Sequence, residues 1–191
     1  MSIQELFVLA NAELVKVFDQ IKDDQWNITL PEEITYKPAN LKQAVRYHTY
    51  DDAWVPDILQ GKTAAQIGDG YELLQTSDND VMGKYRQYNK RASESVADFH
   101  DLDRLTHLSY GDFPAKDYLQ HITAFRSFRC YDSAKLIGID TTMNPVFVDA
   151  LMEELAPVVE DYRKMGVFPA ALPVADMASP QEKLLALVGR S

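Results

Sequence analysis

His48 and Asp52 stand four residues apart in the stretch 41–59. On a helix that spacing sets an imidazole and a carboxylate on one face, one turn from each other. A second stretch, 113–138, carries Arg129 and Asp132 three residues apart within an otherwise apolar run of Leu119, Ile122, Phe125 and Leu136. Steps of three and four place these six residues along one helical face. A stripe meant only for packing would hold no arginine or aspartate, because a buried charge is costly unless paired. The cluster His48, Asp52, Arg129 and Asp132 is therefore the candidate polar pocket, and three readings of it compete. In the first, the Arg129 guanidinium holds the place of a cation and pairs with Asp52 or Asp132, using its planar fork. In the second, His48, Asp52 and His121 ligate a divalent metal, with Asp132 as a fourth donor. Such a histidine and carboxylate set suits zinc, nickel or manganese. His121 lies two turns before Arg129 and is angularly offset, which makes this set awkward. In the third, the charges form a satisfied polar core that fixes helix register.

The elements that must position these residues read as helices. Residues 2–21 carry the stripe Ile3, Phe7, Ala10, Leu14, Val17 and Ile21, opened by a Ser2–Glu5 capping box. Residues 40–60 form the second helix, with Asn40 as cap, Gly61 as stop and Pro56 loosening the last turn. Residues 78–100 form a third, more polar helix. Its Lys84, Arg86, Lys90 and Arg91 read as a solvated face. The fourth runs over 113–138, capped by Asp112, with Pro114 in its first turn and Gly138 past its end. A further helix is expected over 145–165, an extended run over 168–174, and a short helix from Ser179 to Val188. Residues 22–39 break the helical pattern. There Trp26–Leu30 and Ile34–Tyr36 flank Pro31 as two β-like runs, a hairpin-like excursion. Residues 61–77 are a connector with one short helical turn, and 106–114 an extended or turned segment. The expected fold is all-α, an up-and-down four-helix bundle in a single domain over 1–191, with a long loop after the first helix.

Composition narrows the function classes. A net charge of −10 over 191 residues argues against a nucleic-acid or anionic-membrane surface. Cys130 is the one cysteine, which excludes an internal disulfide and a cysteine zinc cluster. Beside Arg129 its thiolate would gain, yet no base is in sight for nucleophilic work, and it reads as a small buried apolar residue. His100 and His107, near loop ends, read as structural. The first residues lack the basic flank of a secretory signal, and no apolar run nears the ~20 residues needed to span a bilayer, so a cytoplasmic protein is expected.

Three segments form one pattern in order: Leu41 to Gly61 with Tyr47-His48 and Trp54-Val55-Pro56; Tyr131-Asp-Ser-Ala-Lys-Leu-Ile-Gly138; and Gly166-Val-Phe168 through Val174, Ala178 and Leu184–Arg190. The pattern resembles the DinB-like superfamily, in its branch related to the N-terminal domain of mycothiol-dependent maleylpyruvate isomerase. The resemblance spans nearly the whole chain. It implies a four-helix bundle, often dimeric, with a divalent metal in the bundle, and it includes thiol-dependent transferases and isomerases. His48 matches the metal-binding histidine of the second helix. Tyr131-Asp132-Ser133 matches the Trp-Asp-Leu of relatives, so Phe125 and Arg129 fall where the remaining ligands stand, and neither binds a metal as those do. Two functions are expected from this. One is a small polar or anionic ligand held at a degenerate metal site, the protein being a homodimer without nucleic-acid or membrane partners. The other is a divalent-metal-dependent thiol transferase or isomerase.

Overall fold

Helix α1 (Ile3–Phe18) begins where Ser2 accepts from the Glu5 amide while the Glu5 carboxylate accepts from the Ser2 amide, the reciprocal cap its sequence predicts. The computed structural model describes residues 1–31 and 39–191, and the expected β-like run Ile34–Tyr36 lies outside them. The described part of the excursion is antiparallel: Thr29 bridges Asn40, and the Leu41 and Lys42 amides donate to Ile28 and Trp26. Asn40 then caps α2 (Leu41–Leu59), accepting from the Gln43 amide at 3.0 Å. Pro56 sits inside α2 one turn from its end, and the helix runs on to Leu59.

The connector after α2 holds two single turns, α3 (Ala64–Ile67) and α4 (Leu73–Thr76), where one was expected. Asp80 caps α5 (Val81–Ala97) from a left-handed conformation, φ 49°, and accepts from the Gly83 amide. A Cβ on Gly83 would clash with that carboxylate, so a larger residue there would displace the cap. The segment 105–114 is a β-hairpin, β1 (Leu105–Leu108) with β2 (Gly111–Pro114), and leads into α6 (Ala115–Ile137). Gly138, φ 72°, closes α6 by returning the Ile139 amide to the Ala134 carbonyl. The expected Asp112 cap does not form: α6 starts from Pro114 with no side-chain cap, and Asp112 bonds His107 instead.

The chain divides into two compact units, 2–140 and 141–191, the second including Met1. Within the first, α2 packs on α5, while α1 packs on α6 and α5. Leu14, Val17 and Phe18 meet Leu41, Val45, Tyr85, Cys130, Ala134 and Ile137 in its core. In the second unit the expected 145–165 helix is two, α7 (Pro145–Leu155) and α8 (Val159–Lys164). Pro157 divides them, since it offers no amide and crowds the carbonyl four residues back. Of the expected extended run 168–174, residues 169–174 hold neither helix nor strand, as their prolines deny helix, a turn follows at 176–177, and α9 (Pro180–Leu187) starts from a Ser179–Glu182 capping box. Gln181 ties α9 to the start of this unit by bonds to the Met143 amide and the Thr141 carbonyl. The fold class is all-α, with one small two-stranded sheet among the described residues. No helix there is long and apolar enough to cross a membrane.

Candidate functional site

The inward stripe of α6 runs Leu119, Thr123, Arg126, Cys130, Ala134 and Ile137, all buried. That is one position round from the stripe expected. The displacement changes which arginine meets Asp52: it is Arg126, not Arg129. Arg126 Nη2 donates to Asp52 Oδ1 at 2.5 Å and its Nε to the same oxygen at 3.2 Å. Asn89, on α5, donates to the other oxygen at 3.3 Å. The same Asn89 nitrogen lies 3.3 Å from the Tyr85 hydroxyl, and Arg126 Nη1 donates to the Ile122 carbonyl. Phe7 of α1 covers the guanidinium, its ring centre 5.1 Å from the arginine carbon.

Burial raises the Asp52 carboxyl, and Arg126 and Asn89 pull against that shift. Burial also opposes the charge on Arg126, and Asp52 more than offsets it, so the guanidinium is held above its ordinary value. Two guanidinium bonds on one oxygen and an amide N–H on the other are the surroundings of a carboxylate, because a carboxylic acid would bring a donor with no acceptor to meet it. Asp52 and Arg126 are thus an ion pair.

One turn back along α2, His48 has only 1 % of its surface exposed. It stacks on Phe125 at 4.9 Å and 23°, with Phe18 at 5.9 Å and Tyr47 at 6.3 Å around it. Both ring nitrogens are buried and, among the described residues, neither has a hydrogen-bond partner. Burial first, then the charges of Arg129 and Arg126, hold its pKa well below the ordinary histidine value. His48 is therefore a neutral imidazole offering one N–H and one lone pair. Arg129 is buried beside it, its guanidinium carbon 5.5 Å from the Phe125 ring centre. Asp132 follows Arg129 on α6 and is also buried.

The expected metal ligands His48 and Asp52 stand on α2, and His121 on α6. Asp52 has both oxygens engaged, and His121 Nδ1 lies 3.2 Å from the Tyr110 hydroxyl with the Phe113 ring at 5.2 Å, beside the hairpin. Among the described residues no three histidine, cysteine, aspartate or glutamate side chains are grouped to hold a metal. Phe125 offers no donor atom. Cys130 is buried, which pushes its thiol up to about 12 and leaves it unreactive. His107 is held by Asp112 at 2.9 Å on the hairpin.

Sequence reasoning missed Arg126, Asn89 and Tyr85. Arg126 lies three residues before Arg129 and was open to the same argument. Asn89 and Tyr85 share an i, i+4 spacing on α5, a signal that carries weight only once Asp52 is known to face them. Compared with protein-family models, with curated proteins and with solved structures, the chain finds no match.

Proposed function

We propose that this protein is a DinB-like four-helix bundle, formed by α1, α2, α5 and α6, that binds a small anionic ligand at His48 where relatives bind a metal. The observation that carries the reading is His48 itself: a buried imidazole with two unpartnered nitrogens in the field of two buried arginines. An unmet buried polar group costs about 1–3 kcal/mol, so a ligand or water that satisfies it gains that much before any other contact. The field selects the ligand's sign. With Arg126 paired to Asp52, Arg129 is the charge beside the imidazole that favours an anion, while the neutral imidazole donates its N–H to an anionic oxygen. The rival reading, a metal-dependent thiol transferase or isomerase, needs a dication at the same nitrogens against that field.

Thermal denaturation with acetate, succinate and inorganic phosphate at constant ionic strength tests the proposal. At ten times its dissociation constant, a bound anion stabilises the fold by about 1.4 kcal/mol. The expected result is a saturable rise in Tm with at least one probe, abolished by His48→Leu. No saturable rise with any of them, together with near-stoichiometric zinc, nickel or manganese that falls in His48→Ala, would favour the metal reading instead.

A further inference from the structure

Away from that site, three cations from two helices converge on one short connection. Ser77 ends α4 in an extended conformation, and Ser77–Asp80 link α4 to α5. Lys84 Nζ donates to Ser77 Oγ at 2.8 Å. Arg46 Nε donates to the Ser77 carbonyl at 3.1 Å, and its Nη2 pairs with Asp78. Lys42 Nζ lies 3.1 Å from the same Asp78 oxygen. Lys42 and Arg46 sit one turn apart on α2, and Lys84 is in the first turn of α5. Asp78 is 73 % exposed, so the carboxylate that these cations hold is turned toward solvent. The chain carries a net −10, and here three of its nineteen lysines and arginines meet around one hydroxyl and one carboxylate.

We propose that Ser77 is a phosphorylation site, with Lys42, Arg46 and Lys84 as the seat of its phosphate. The hydroxyl already lies within hydrogen-bond distance of Lys84, so an added phosphoryl group would start beside a cation. At neutral pH it carries a charge of about −1.5 to −2 and three acceptor oxygens, which is more than the Asp78 carboxylate offers. It would take Arg46 and Lys42 from Asp78 and join α2 to α5. The first amides of α5, four residues on, favour negative charge there. Ser77 is half-buried, in a connection between helices of the kind where modification sites lie. In the reaction, Ser77 Oγ attacks the γ-phosphorus of a nucleoside triphosphate bound to a protein kinase. The γ-phosphorus bond to the bridging oxygen breaks, the nucleoside diphosphate leaves, and the hydroxyl proton is released. Ser2 and Ser179 contrast with this. Ser77 Oγ also accepts from the Asn79 amide at 3.3 Å, but it faces a lysine, whereas their hydroxyls sit beside the glutamates of their own capping boxes.

The test is the full chain with phosphoserine encoded at position 77, followed by phosphorus NMR and by thermal denaturation. The expected phosphate pKa is about one unit below the ordinary value of ~6, and Tm rises by about 3–5 °C over the unmodified chain. Lys84→Met in the same phosphorylated chain returns the pKa toward 6 and removes part of the rise. Ser77→Ala checks that loss of the hydroxyl alone does not move Tm by a comparable amount. Either a phosphate that titrates at its ordinary value or an unchanged or lowered Tm overturns the proposal.

Discussion

Two buried polar centres lie one turn apart along α2, and they are opposite in kind. Around Asp52 every charge is met: Arg126 takes one oxygen, Asn89 the other, and Phe7 covers the guanidinium. Around His48 the imidazole is enclosed by rings and, among the described residues, neither nitrogen is met. A closed centre of the first kind holds helices in register and leaves no valence for a ligand. An open centre of the second kind is a cost to the fold that binding can recover. The difference separates the structural part of the polar core from the part that can work.

Breaking the closed centre should give the largest effect. Arg126→Ala leaves Asp52 as an uncompensated buried charge and should destabilise the protein by about 3–5 kcal/mol in urea denaturation. Asp52→Asn, which keeps the shape and removes the charge, strands Arg126 in the same way and should cost about as much. The double variant Arg126→Leu with Asp52→Leu should cost clearly less than the sum of the single changes, a coupling that a double-mutant cycle measures.

Changing the open centre should do less, and in the other direction. His48→Leu removes two unmet polar atoms and should leave stability unchanged or raise it by about 1 kcal/mol, while ending any anion response. Its pH dependence sharpens the contrast. His48 holds its folded pKa well below ordinary, and the unfolded chain takes up a proton near ~6.5. Below that pH the unfolded state binds more protons, so His48 lowers stability progressively as pH falls, until its folded pKa is reached. The stability of the wild type relative to His48→Leu should therefore fall as pH drops from 7 to 5. A constant difference would place His48 in solvent. The smallest effect belongs to the surface: Lys90→Ala, which breaks a pair with Glu94 at 3.7 Å, should shift stability by less than about 0.5 kcal/mol.

Much of the helical framework is legible in the sequence because each sign has a local cause. The Ser2 and Ser179 capping boxes, the Asn40 cap and the Gly138 stop act within a turn or two of chain. The Pro157 break is equally local, but Phe147, Leu151, Leu155, Val158 and Tyr162 keep helical spacing across it and read as one helix. The site was harder to read for a reason specific to α6. From Arg126 to Ala134 every residue is buried, so the helix shows no polar side from which its inward face could be judged. Two stripes one residue apart each carry an arginine, and the choice between Arg126 and Arg129 rests on Asp52 and Asn89, which are distant in sequence. His48 was legible as a candidate from its spacing to Asp52, but its lack of hydrogen bonds is a property of the assembled core.

The most direct measurement is two-dimensional nitrogen NMR of the chain labelled at histidine, with His48 assigned by His48→Gln, recorded from pH 7.5 to 5 and then titrated with acetate, succinate and phosphate. The account predicts that His48 stays neutral across the range and that its nitrogen shifts move saturably with at least one anion. A His48 that titrates near 6.5 and ignores all three anions would contradict it.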